Sequence, residues 1–143
     1  MIDVLELREA IEDALAAHTG IYTYSDGLIT PAVWVEDGEN LLERSVAGLE
    51  IVIQPSLDVP IVPTFDGYQQ TFTAAIMLKQ WDIEKTTLEA MPLLLGALHS
   101  LPQLQVGQPR RIVRSTKLDN IETLRIPVSQ SFLTQIEFAD DEP

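Results

Sequence analysis

The sequence predicts an α+β fold: a mostly antiparallel sheet covered on one face by two helices, with a long proline-rich arm or hairpin. Three observations carry this. Two segments repeat apolar residues at helical spacing, and each opens with a capping-box pair. Several segments alternate with period two, and the last of them are joined by connections too short for parallel crossovers. Between the two groups lies Pro55–Gln70, a stretch that fits neither pattern.

The first helix is expected over Asp3–Ala17. Asp3 and Glu6 have capping-box spacing, Val4, Leu7, Ile11, Ala14 and Leu15 form one apolar stripe, and Glu6, Glu9, Glu12 and Asp13 take the other face. Gly20 reads as its C-terminal stop. Tyr22 and Tyr24 then alternate before an Asp26-Gly27 turn. Leu28–Val35 reads as one strand, with Pro31 marking an edge or a bend. Asn40–Val46 reads as a loop or a turn of helix, and Leu49–Gln54 alternates as a strand.

Pro55–Gln70 holds Pro55, Pro60 and Pro63 together with Leu57, Val59, Ile61, Val62, Phe65 and Tyr68. The prolines forbid a helix, and the apolar residues do not suit a polar linker. Two readings stay open: an extended arm packed on its own domain, or one that reaches a neighbouring subunit.

Thr71–Trp81 is the longest expected strand, apolar on both faces over Ala74–Leu78, as a central strand is. Thr86 and Glu89 cap a second helix carrying Leu88, Met91, Leu94, Leu95 and Leu98 up to Leu101. Pro92 inside it predicts a kink or a restart. The remainder predicts three strands, Arg110–Leu118, Ile121–Val128 and Ser131–Phe138, the first two joined by an Asp119-Asn120 turn.

At 143 residues the chain suits one domain, residues 1–143, with 55–70 as the arm and 139–143 as an acidic tail. With 45% hydrophobic and 22% charged residues, it has the composition of a folded domain. It has no Cys, so no disulfide, thiolate nucleophile or Cys-ligated metal is available. No apolar run approaches the roughly 18 residues of a membrane span, so no membrane partner is expected. The N-terminus carries acids where a signal peptide carries bases, so the chain is expected not to be exported. With 22 Asp+Glu against 9 Lys+Arg, its net charge of −13 disfavours non-specific binding to nucleic acid.

The search for chemistry returns little. His18 and His99 each fall at the end of an expected helix, where imidazole suits the dipole. There is no nucleophile elbow, phosphate loop or calcium-loop spacing. The sequence therefore predicts no enzyme, no cofactor, and no catalytic or metal-binding residue. The one basic cluster is Arg110, Arg111, Arg114 and Lys117. It suits ion pairs within the monomer, pairing with a neighbour's acidic face, or contact with nucleic acid. The candidate interface residues are Val59, Ile61, Val62, Phe65 and Tyr68 of the arm, the basic Arg110, Arg111 and Arg114, and the acidic Glu9 and Glu12 of the first helix.

In its order of elements the chain resembles the small tail-terminator and tail-completion proteins of long-tailed bacteriophages. The resemblance rests on Asp3–Ala17, on Ala32-Val33-Trp34-Val35, on the long strand Thr71–Trp81, and on the helix Thr87–Leu101. It implies a structural virion protein, made in the host cytoplasm and placed at the tail–neck joint. Such a protein is a homo-oligomer, usually a hexameric ring, that caps the head-proximal end of the tail tube and meets the tail-tube and neck or connector proteins. DNA passes through its lumen without specific binding. Other neck, tail-completion or baseplate joint proteins share the pattern. A small ligand-binding domain, its site near His99 or Trp81, is the reading from a different class.

Overall fold

The computed structural model describes residues 3–36, 43–56, 58–112 and 122–136. The elements in chain order are α1 (Val4–Ala14), β1 (Ile21–Tyr24), β2 (Ile29–Pro31), β3 (Val33–Val35), β4 (Arg44–Ala47), β5 (Leu49–Pro55), β6 (Ile61–Pro63), β7 (Gly67–Gln80), α2 (Thr87–Ser100), β8 (Gln105–Val106), β9 (Arg110–Arg111) and β10 (Glu122–Gln135). The α+β class is as expected. Its main sheet runs β3-β5-β7-β10-β8, with β6 added beside β7 and β9 beside β10. All these pairings are antiparallel except β3 with β5.

Both helices begin where their caps place them. Asp3 accepts from Glu6 N at 2.8 Å, and Thr86 accepts from Glu89 N at 3.2 Å. They pack side by side over one sheet face. Leu7, Ile11 and Leu15 meet Ala90, Leu94 and Leu98 above Leu49, Ile51, Ile53, Ile76, Leu78, Ile126 and Val128. Burying each of the larger of these side chains stabilises the fold by about 1.5–3 kcal/mol.

Several expectations need correction. Of Asn40–Val46, expected as a loop or a turn of helix, residues 44–46 form strand β4 (Arg44–Ala47) because β1 pairs along them, and residues 40–42 lie outside the described residues. Pro92 does not restart the helix: α2 runs from Thr87 to Ser100 with Pro92 inside it. Pro92 and Leu88 both lie on the exposed face, so the carbonyl that loses its partner faces water. The first helix ends at Ala14, short of Ala17. Leu15 O collects both the Thr19 N–H and the Thr19 hydroxyl, which closes the chain into a turn.

Leu28–Val35 is two strands in two sheets. β1 lies between β2 and β4 in a small three-stranded sheet. At Gly20, where β1 begins, the strands flanking it close together. Ala32 donates to Gly20 O at 3.0 Å, Gly20 donates to Leu49 O at 2.7 Å, and Ile51 donates to Ala32 O at 2.8 Å. β2 thus passes through Ala32 into β3, and β4 passes through Gly48 into β5. β1 is a wedge that splits the parallel pair β3–β5 into the second sheet.

The expected strands Ile121–Val128 and Ser131–Phe138 are one strand, β10, of 14 residues. Ser129 and Gln130 do not break it. They pair with Thr73 and Phe72 in continuous register, and the Gln130 amide donates to Pro102 O at 2.9 Å. The Asp119-Asn120 turn, Arg114 and the tail 139–143 lie outside the described residues.

Candidate assembly interface

β7 and β10 pair along their whole length, from Glu122↔Gln80 to Gln135↔Gly67. Fourteen residues span roughly 45 Å. The helices cover only the part from Phe72 to Gln80. Residues Gly67–Thr71 and Ser131–Gln135 run on past the core, and β6 joins them through Ile61↔Gln70, Val62↔Gln69 and Pro63↔Tyr68. The result is a three-stranded tongue about 17 Å long beyond the core.

The expected arm 55–70 is thus the outer part of this tongue. Ser56 donates to Thr73 O and Thr71 to Pro60 O, so the proline-rich stretch lies along β7. Thr64 closes the tip by donating to Gly67 O at 2.9 Å. Ile136 N donates to Asp66 O at 2.7 Å, which ties the tip to the end of β10. A Cβ on Gly67 would collide with Thr134 O, so only glycine lets these strands approach.

Both faces of the tongue are apolar. By register, Ile61 and Phe132 flank Gln70 on the face continuous with the core, while Val62 and Leu133 flank Gln69 on the other. Val59, Ile61, Val62, Phe132, Leu133 and Ile136 are exposed, and Phe65 at the tip is fully so. Of the sequence candidates, Val59, Ile61, Val62 and Phe65 therefore form one solvent-facing group, with Tyr68 half-buried beside them. Phe132, Leu133 and Ile136 complete the group and were missed. Their alternation was visible as a strand, but not its partner. Two recesses flank Leu133. One of about 660 Å³ lies among Gln69, Gln103, Leu104 and Phe132, and one of about 480 Å³ lies toward Phe65, Asp66 and Gln135.

The charged candidates are not brought to the tongue by any described contact. Arg110 lies opposite Arg125 across β9–β10, both exposed on the face away from the helices. Arg111 takes the other face and pairs with Glu122 at 3.1 Å. Arg114 lies outside the described residues. On α1, Glu9 is exposed, while Glu12 already accepts from Arg8 at 2.7 Å within its own helix.

At the opposite end of β7, the small sheet folds over the uncovered face of the main sheet and buries Glu50. Tyr22 donates to Glu50 Oε2 at 2.6 Å, Trp81 Nε1 to Oε1 at 3.1 Å, and Arg44 to Oε2 at 3.4 Å. The Arg44 guanidinium also sits 4.7 Å from the Tyr22 ring centroid. Burial pushes the Tyr22 phenol well above its ordinary range, and the Glu50 hydrogen bond and charge add to this against the opposing pull of Arg44. The cluster ties two sheets together through Glu50, whose two carboxylate oxygens are both engaged, while the buried Arg44 Nε has no hydrogen-bond partner among the described residues.

A third recess, of about 490 Å³, has Ala75 and Pro127 among its lining, with Gln54, Thr73, Gln105, Arg125 and Ser129 supplying the polar groups. Neither His99 nor Trp81 lines it: Trp81 is held by Glu50 and His99 is exposed on α2. Among the described residues no group of His, Asp and Glu is placed to hold a metal ion, and no helix is long and apolar enough to cross a membrane. The sequence matches no protein-family model and no curated protein.

Proposed function

We propose that the protein is a structural subunit of a closed ring, of the tail-terminator kind, whose tongue docks on the neighbouring subunit. The observation that carries this is the tongue itself. Ile61, Val62, Phe65, Phe132 and Leu133 stand in water on both faces of an ordered, hydrogen-bonded element. Exposed apolar surface concentrated in this way marks a protein contact. A tongue at one end of a subunit and a different receiving surface elsewhere make a heterologous contact, the kind that closes into rings.

The tail position rests on the resemblance of Asp3–Ala17, Ala32–Val35, Thr71–Trp81 and Thr87–Leu101 to tail-terminator proteins. In this reading the partners are further copies of the chain, the tail-tube protein and the neck proteins. The surplus of acids lets DNA pass without being gripped.

Sedimentation over a wide concentration range, followed by electron microscopy with unfinished tail tubes, tests it. The expected result is a closed ring, free or on the tube end, that fixes tube length. A protein that joins heads without affecting tube length is a neck or completion joint instead. A protein that neither assembles nor binds tubes sinks both.

A further inference from the structure

The tongue has two edges, and they are built differently. Thr64 and Thr71 bond across β6–β7, so Gly67, Gln69 and Thr71 turn their backbone groups toward β6. The alternate residues Tyr68, Gln70 and Phe72 then face β10, opposite Thr134, Phe132 and Gln130. Ser131, Leu133 and Gln135 therefore direct their N–H and C=O groups away from the tongue. The same alternation holds upstream, where Pro127 O accepts from Gly107, Ser129 lies opposite Gln105 of β8, and Thr123 O accepts from Ile112. β8 stops at Ser129, and among the described residues no strand continues it beside 131–135.

Two other edges, those of β6 and β2, are guarded. On β6 the outward residues are Ile61 and Pro63, and on β2 they are Ile29 and Pro31. In each case proline removes an outward donor. The β10 edge, Ser131-Phe132-Leu133-Thr134-Gln135, has no proline and no charge in a chain of net charge −13. Natural proteins guard such an edge unless it is used.

We propose that this edge pairs with the same edge of a second copy, antiparallel and two-fold, with Leu133 opposite Leu133. Its side chains are self-complementary in that register. Leu133 meets its own copy, Ser131 faces Gln135, and Phe132 packs on the methyl-bearing Thr134, so no pair brings like charges together. Each of the three outward residues donates its N–H to, and accepts at its C=O from, the residue opposite. The register ends where β8 begins, which brings Ile136 of each copy beside Gln130 of the other. The recesses that meet at Leu133 leave room for the incoming strand. This pairing uses the edge, whereas the proposed ring contact uses the faces, so neither depends on the other.

The chain has no Cys, so single-cysteine variants report the register cleanly. Residues directly opposite in such a pair have Cα atoms about 5.5 Å apart, within the span of about 4.4–6.8 Å that a disulfide bridges. Under mild oxidation Leu133→Cys is expected to give a covalent dimer. Ser131→Cys alone is expected to stay uncoupled, and a mixture of Ser131→Cys with Gln135→Cys is expected to couple. Leu133→Pro removes only an outward donor and is expected to keep the far-UV circular dichroism while losing the dimer in sedimentation. Absence of the Leu133 cross-link, coupling of Ser131 to itself, or an unchanged dimer in Leu133→Pro overturns the proposal, as does a free edge that accepts only a strand of another protein. A closed ring that fails to cross-link at 133 overturns this pairing and leaves the ring reading standing; a cross-linked dimer that never forms rings does the reverse.

Discussion

The Tyr22 hydroxyl donates to Glu50 Oε2 at 2.6 Å, and through this bond the wedge strand β1 is fastened to the sheet it splits. Glu50 is 2% exposed and also serves Trp81 and Arg44. Removing it leaves the buried Tyr22 hydroxyl, the Trp81 indole and the part-exposed Arg44 cation without their partner. Glu50→Ala is expected to destabilise the fold by about 3 kcal/mol, and Tyr22→Phe by about 1–2 kcal/mol. Denaturant unfolding of each variant checks both values.

The same bond predicts a pH dependence. The Tyr22 phenol is neutral in the folded protein well above the ordinary tyrosine value of 10.0. Above that value the unfolded chain loses this proton while the folded chain keeps it, so the unfolded state binds fewer protons and stability falls as pH rises. The contribution is fully present below pH 10.0 and is lost as pH climbs toward the raised folded value. Tyr22 is expected to ionise above the ordinary tyrosine value in an ultraviolet titration. Tyr22→Phe is expected to flatten the alkaline loss of stability. An alkaline slope unchanged in that variant rules the mechanism out.

The corner that lets the wedge in depends on two glycines. Gly48 has φ +84°, and a Cβ on it would lie 2.8 Å from Gly20 Cα. A Cβ on Gly20 would meet Ala47 O. Gly48→Ala combines positive-φ strain with this contact and is expected to destabilise by more than about 1 kcal/mol. Gly27→Ala is the comparison. Gly27 has φ +88° but open space around it, so it shows the backbone term alone. Equal losses at the two positions would mean that the crossing adds nothing.

These particular residues show what one-dimensional pattern conveys. The helix caps at Asp3 and Thr86 and the core stripes were legible because their physics is local: a side chain three residues from its N–H, an apolar face at helical spacing. Pro31 signalled the edge or bend at the end of β2, but not that Ala32 is where the chain changes sheets, because that depends on Gly20, which arrives as a neighbour only in the folded chain. Ser129 and Gln130 looked like a turn because they are polar. Gln130 is tolerated inside β10 because Pro102 O is waiting for its amide. The outer part of the tongue was readable from Val59, Ile61, Val62 and Phe65. The contribution of Phe132 and Leu133 required knowing that β10 pairs with β7 rather than with its predecessor alone.

The tongue itself yields a separable effect on assembly and stability. Ile61 and Val62 point to opposite faces and are 60% and 55% exposed. Ile61→Ser with Val62→Ser is expected to change monomer stability by no more than about 0.5 kcal/mol per substitution. In the proposed ring it removes an apolar side chain from each face, and the assembly constant is expected to fall at least tenfold. Light scattering of assembly alongside denaturant unfolding separates the two. A loss of stability as large as the loss of assembly would mean that these residues hold the monomer together.

The basic cluster makes the last distinction, between a surface that meets a neighbour and one that only balances charge. Arg110 and Arg125 are adjacent, exposed and alike in charge, so each raises the cost of the other unless an acidic surface arrives. Arg111, by contrast, already has Glu122. Reversing Arg110 together with Arg114 is expected to weaken assembly, most strongly at low salt, without lowering the unfolding midpoint. Exposed charges contribute little to monomer stability, whereas charges across a contact act over a Debye length of about 10 Å at 0.1 M salt. Arg111→Glu is expected to do the opposite, disturbing its own strand pair more than the assembly. If the double reversal leaves assembly unchanged at every salt concentration, the cluster lies outside the interface and the contact is made by the apolar tongue alone.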